Sequence, residues 1–213
     1  MNLQKSLALM KDVLFPIFCV ECHKEGEWWC ENCRAKQVIP LIQTQLNLSS
    51  NLNLITALFP YQEGEIIAKL IHEFKYRYVR DLASLWRAIL AKSNFQTSAI
   101  LIVPVPLHSR RERDRGFNQA KIIADLLGDF LGIPVESKSL VRVRSTDQQA
   151  KLSKVAREEN VRQAFAWQGA SPPRLVLIVD DVYTTGATMQ ECARVLKEVG
   201  VSQVEGFVLG KAV

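Results

Sequence analysis

No run in this sequence approaches the ~20 apolar residues that a membrane-spanning helix needs, so a membrane-embedded chain is not expected. A G-x-x-x-x-G-K-[ST] loop is missing and no G-x-G-x-x-G follows a strand. A P-loop ATPase and a dinucleotide-binding fingerprint are thereby excluded. Internal repeats and low-complexity tracts are absent too. Charge of one sign is scarce: 27 Lys and Arg stand against 22 Asp and Glu, a net +5. That excess permits phosphate or nucleic-acid partners and demands neither. Only five cysteines occur, four of them grouped as Cys19, Cys22, Cys30 and Cys33, with Cys192 alone. The spread-out framework of a secreted disulfide-rich domain is lacking, and a cytoplasmic setting is expected. The apolar stretch 13–20, VLFPIFCV, follows Lys11 and Asp12 and is too short for a signal peptide. Phe18 also sits where a small residue should precede cleavage, so no signal peptide is expected.

What is present is material for a real core, since 48% of 213 residues are apolar. After a polar stretch at 37–52, strand and helix patterns alternate. Strands are expected at 54–61, 100–103, 139–143, 175–179 and 204–209. Helices are expected at 63–76, 82–91, 118–130 and 187–199, with Ile66, Ile67, Leu70, Ile71 and Phe74 on one face of the first. Ile100–Val103 and Leu175–Val179 are apolar at every position, as strands buried on both faces require. The reading is α/β: a parallel sheet with helices on both faces. In such sheets ligands bind beyond the carboxyl ends of strands, here after Val103 and after Val179.

The segment LVLIVDDVYTTGAT (175–188) leads directly into a helix. Gly186 permits close backbone approach and positive φ. Helix-start amides and the hydroxyls of Thr184, Thr185 and Thr188 make an anion site. Asp180 and Asp181 can accept hydrogen bonds from vicinal sugar hydroxyls or orient them toward a metal. A Thr–Thr–Gly turn alone would read as a helix cap; the strand, the paired acids and the loop in succession read as a ribose 5-phosphate site. The stretch IVDDVYTTGAT resembles the phosphoribosyl pyrophosphate (PRPP) motif of type I phosphoribosyltransferases. With VPVPLHSRRERDRGFNQ (103–119), TDQQAKLSKVAREENVRQAF (146–165) and Phe74-Lys75-Tyr76, it is similar to the ComF family, phosphoribosyltransferase-like proteins of bacterial competence that begin with a four-cysteine zinc module. The resemblance covers nearly the whole chain.

It implies that Asp180 and Asp181 contact the ribose hydroxyls and that Thr184, Thr185, Gly186, Ala187 and Thr188 hold the 5-phosphate, with Val182 and Tyr183 inside the motif. It implies that the segment after Val103 is the pyrophosphate loop and that 146–154 is a mobile loop. Arg110, Arg111, Arg113 and Arg115, near Gly116, alternate with Glu112 and Asp114. Taken alone they fit a diphosphate clamp, a solvated ion-paired loop or a nucleic-acid surface; position and resemblance favour the clamp, with Arg115 foremost. Lys75 is a further candidate for the phosphates. His72 and His108 are titratable, though a structural role is expected for each. If the site turns over, pyrophosphate leaves the anomeric carbon, positive charge builds on the ribose, and Mg²⁺ accompanies PRPP. The acceptor is not legible. The alternative is a non-catalytic single-stranded DNA-binding accessory of a DNA-translocating ATPase in the competence system.

Cys19-x2-Cys22 and Cys30-x2-Cys33 form paired knuckles, the pattern of a tetrahedral structural zinc site. With little core beyond Phe18, Trp28 and Trp29, the module is expected to need the metal to fold. Cys192 is expected to be a buried structural cysteine. The organisation expected is a zinc module at 14–36, a connecting segment at 37–52, and a phosphoribosyltransferase-like domain at 53–213.

Overall fold

A computed structural model describes residues 16–76, 79–144, 159 and 161–212, with the backbone alone for 75–76 and 79–81. Five strands form one sheet in the order β1-β2-β7-β6-β3: β1 (Ile42–Gln45), β2 (Leu54–Tyr61), β7 (Gln203–Ala212), β6 (Leu175–Tyr183) and β3 (Ile102–Pro104). The β2–β7, β7–β6 and β6–β3 pairs are parallel, and β1 closes the β2 edge antiparallel. Two short strands, β4 (Leu140–Arg142) and β5 (Phe165–Trp167), pair antiparallel outside that sheet.

Side-chain alternation divides the interior into two cores. On β6, Leu177 and Val179 pack with Leu58, Phe207 and the helices α2 (Ile66–Tyr76), α3 (Val79–Leu90) and α5 (Gln119–Leu131). Val176 and Ile178 point the other way, toward Met189, Ala193 and Leu196 of α6 (Ala187–Glu198), with Leu140 and Phe165 of the hairpin alongside. All four β6 side chains are at most 1% exposed. Burying each contributes about 1.5–3 kcal/mol, which explains why a central strand carries no polar residue before Asp180. The expected parallel sheet with helices on both faces is the observed architecture.

The first core does not stop at the sheet. Cys19, Trp29, Cys30 and Cys33, the last on the short helix α1 (Glu31–Arg34), are buried in it with Trp86 and Phe59, and the Trp29 and Phe59 rings meet edge-on at 6.1 Å. The cysteine segment thus shares its apolar interior with the larger domain. Within 37–52 the chain forms β1, whose half-buried pattern and two glutamines suit an edge strand covered on one face.

Candidate functional site

The cleft opens where two neighbouring strands part. Strand β3 ends at Pro104, opposite Val179, and Pro106 follows. The Val105 amide still donates to the Val179 carbonyl at 2.8 Å; beyond it β3 leaves while β6 runs on. Four more residues, Asp180 to Tyr183, continue beside β7 as far as Lys211. The sequence placed the end of this strand at Val179; pairing with β7 carries it past the acids. Asp180 and Asp181 therefore lie on rigid strand, next to the space that β3 vacates. An Asp180 carboxylate oxygen accepts the Asp181 amide at 2.9 Å.

Residues 109–115, read as a basic loop, form a helix, α4 (Ser109–Arg115). With no apolar residue to bury it has no periodicity to detect, yet both ends are capped. His108 accepts the Arg110 amide through Nδ1 at 3.3 Å, the structural role expected of it. Gly116 stops the helix in the left-handed region at φ 84°. Asn118 then starts α5 as expected, its side chain accepting the Ala120 amide at 3.0 Å and donating to the Val105 carbonyl at 3.0 Å.

The result is a cleft of about 200 Å³ at the carboxyl ends of β3 and β6, lined among others by Arg111, Arg115, Gln119, Arg142, Asp180, Asp181 and Thr188. Residues 111 to 188 thus meet through topology alone. Arg110 and Arg113 are exposed on α4, and Arg110 does not line the cleft. The side chain of Lys75 and the loop 146–154 lie outside the described residues.

Thr184, Thr185 and Gly186 make the turn into α6. Gly186 has φ 80°, and a Cβ there would collide with the Tyr183 phenol. No side chain caps α6 at Gly186 itself; the Thr185 hydroxyl accepts the Ala187 amide at a long 3.4 Å. The first amides of α6 have no acceptor within the helix, and with Thr188 they offer donors at its positive end. Burial raises the Tyr183 phenol above its usual value, against a hydrogen bond from Gln190 that lowers it.

Two cleft residues escaped the sequence reading. Arg142, on β4, has its guanidinium carbon 5.3 Å from the centre of the Phe165 ring. Burial, and then the nearby charge of Arg111, push its pKa below the usual arginine value. Gln119 is 3% exposed and accepts a hydrogen bond from Arg115 at 2.6 Å. Neither signal could be read along the chain, because Arg142 gains its meaning from Phe165 on the paired strand and Gln119 from Arg115.

At the other end, the Sγ atoms of Cys19, Cys22, Cys30 and Cys33 lie within 4.8 Å of one another. The Cys30 amide approaches Cys19 Sγ at 3.5 Å. Burial alone would raise the Cys19 thiol, but the amides of Cys22, Cys30 and Glu21 outweigh it and bring it to about 6. Burial and the neighbouring thiols push Cys33 upward. An S₄ set of this size could bind zinc. Cys192, on α6, is fully buried, and burial raises its thiol well above the ordinary value; it is an inert core residue.

Among the described residues no helix is long and apolar enough to cross a membrane. Residues 113–211 match the phosphoribosyl transferase domain family. The chain is 29% identical over 207 residues to competence protein F of Haemophilus influenzae, covering 93% of this chain and 86% of that one. It is 35% identical over 150 residues to the DNA utilization protein YhgH of Escherichia coli K12, covering 67% and 66% respectively. It is 28% identical over 158 residues to competence protein ComFC of Bacillus subtilis, covering 70% and 61%. Parallel sheet, cysteine cluster, domain match and relatives agree: the chain belongs to the ComF family of competence proteins and carries a phosphoribosyltransferase domain.

Proposed function

We propose that the cleft between β3 and β6 binds PRPP with Mg²⁺ and that the protein acts in DNA uptake or utilisation, transferring phosphoribosyl groups to an acceptor. The observation that carries this reading is the meeting of Asp180, Asp181 and Thr188 with Arg111 and Arg115 in one cleft. Carboxylates accept from ribose hydroxyls, the 184–188 turn donates to the 5-phosphate, and guanidiniums match diphosphate oxygens. Mg²⁺, when bound with the diphosphate, would neutralise leaving-group charge, and the two aspartates are hard oxygen donors of the kind it takes. As the bond at the anomeric carbon breaks, positive charge develops on the ribose, and Asp180 and Asp181 are placed to stabilise it. The family of DNA-utilisation relatives supports the cellular role, and the exposed Arg110 and Arg113 of α4 would leave a basic surface for single-stranded DNA beside the cleft. Coupling to a DNA-translocating ATPase belongs to the same proposal. So does zinc as the ion of the cysteine site, given a thiol set of the correct number and size.

Calorimetric titration of the zinc-loaded protein with PRPP and Mg²⁺, beside an Asp180→Asn/Asp181→Asn double variant, tests the site. Saturable binding that the variant loses supports it. No binding by the wild type overturns the PRPP reading and leaves DNA binding as the leading function.

A further inference from the structure

Gln119 sits at the first turn of α5 with 3% of its surface exposed, yet it lines the cleft. Its two amide ends are in different circumstances. One atom faces an Arg115 guanidinium nitrogen at 2.6 Å. A guanidinium only donates, so that atom must be the carbonyl oxygen, and the amide orientation is fixed by chemistry. The NH₂ group is then forced to the other side. There Nε2 is buried and, among the described residues, has no hydrogen-bond partner. A buried donor without an acceptor is rare, and at the wall of a cleft it marks a position where a ligand oxygen belongs.

Its surroundings narrow the ligand. Arg111 and Arg115 reach the cleft from α4, Gln119 from α5 and Arg142 from β4, and the cleft's carboxylates come from β6. Three guanidiniums therefore share the cleft with the Gln119 NH₂, and all four groups only donate. An oxygen-rich anion satisfies such a set, whereas a sugar hydroxyl is better served by the carboxylates.

We propose that Gln119 is a diphosphate-recognition residue: its carbonyl holds the Arg115 guanidinium in place while its NH₂ donates to a diphosphate oxygen of the ligand. This rests on the PRPP reading above. It adds a neutral donor that distinguishes a diphosphate-bearing ligand from the same sugar without it. Replacement by Glu keeps an acceptor for Arg115 but removes the NH₂ donor and sets a negative charge against the anion. Replacement by Met keeps the volume and removes both functions.

The test is titration of the full-length protein with three ligands: PRPP with Mg²⁺, pyrophosphate with Mg²⁺, and ribose 5-phosphate. Wild type, Gln119→Glu and Gln119→Met are compared, each shown to be folded by a cooperative thermal melt. A donor to a charged oxygen is lost in both variants, so PRPP and pyrophosphate should bind about tenfold or more weakly. Ribose 5-phosphate should bind within about twofold of wild type, because the 184–188 turn and the aspartates are untouched; a structural role alone would weaken all three ligands alike. Equal affinity of the folded variants for PRPP, or equal loss of all three ligands, overturns the assignment while wild-type PRPP binding stands. Failure of the wild type itself to bind PRPP overturns the functional reading and this inference together. Should the buried carboxylate of Gln119→Glu prevent folding, Gln119→Met decides alone on the same criteria.

Discussion

The cysteine site and the cleft are built in opposite ways. Four thiols separated by at most fourteen positions converge within 4.8 Å, so the site is local and its spacing announces it. The cleft draws on residues from Val105 to Thr188 and exists only once β3, β6, α4, α5 and the β4–β5 hairpin are in place. A local site can be read from a motif; a site assembled by topology shows in sequence only through the part that happens to be continuous. Yet the two ends are mechanically joined, because Trp29, Cys30 and Cys33 lie in the same apolar core as Phe59, Trp86 and Leu127.

That joining sets the expected order of effects. Removing the proposed zinc should matter most for stability. Structural zinc contributes about 10–16 kcal/mol in small peptides at pH 7, and here its loss would also release Trp29 from the shared core. Chelation, or Cys30→Ser, should lower the melting temperature of the whole chain, whereas a truly separate module would leave the main transition where it was. Trp29→Ala probes the same joint without touching a thiol and should cost about 3–5 kcal/mol in urea unfolding.

The converse holds at the cleft. Asp180→Asn with Asp181→Asn should reduce PRPP affinity by about a hundredfold or more, since two charged acceptors are lost. Its unfolding midpoint should barely move, because neither carboxylate lies in an apolar core. Gly186→Ala mixes the two outcomes. Its φ of 80° and the packed Tyr183 phenol both oppose a methyl group, and about 1–3 kcal/mol of destabilisation is expected, together with weaker ribose 5-phosphate binding.

The smallest effect is a pH dependence on the face that α6 covers. Glu191, buried on α6, accepts the Gln163 amide at 2.6 Å and pairs with Arg194 at 2.9 Å, while Arg194 also bonds Glu198. Burial pushes the Glu191 carboxyl up, but the Arg194 and Gln163 hydrogen bonds outweigh it and hold it below the usual value of 4.5. A depressed folded pKa gives stability that is present above the unfolded value and lost as pH falls through the folded one. Stability should therefore decline below about pH 4.5, and Glu191→Gln should show less of that acid loss in urea melts at pH 7 and pH 4.

Much of the sheet was legible because its strands are apolar on both faces. Leu54–Tyr61 and the helices at 118–130 and 187–199 correspond to β2, α5 and α6 to within a residue or two at each end. What escaped was structure without a hydrophobic signature. Helix α4 is SRRERDR and buries nothing. Strand β1 is IQTQ, half polar, and β5 is three residues paired with β4. In the cleft, the acids, Thr188 and Arg115 were visible from motif and position. Arg142 and Gln119 were not, because their significance lies in a neighbour across the fold: Phe165 for one, and for the other Arg115 together with a donor left unmet.

The most direct measurement is a crystal structure of the zinc-loaded protein with PRPP and Mg²⁺. We expect ribose hydroxyls on Asp180 and Asp181, the 5-phosphate against Thr184–Thr188, and the diphosphate on Arg111, Arg115 and the Gln119 NH₂. A ligand seated elsewhere, or a cleft that stays empty at saturating PRPP, would contradict the account.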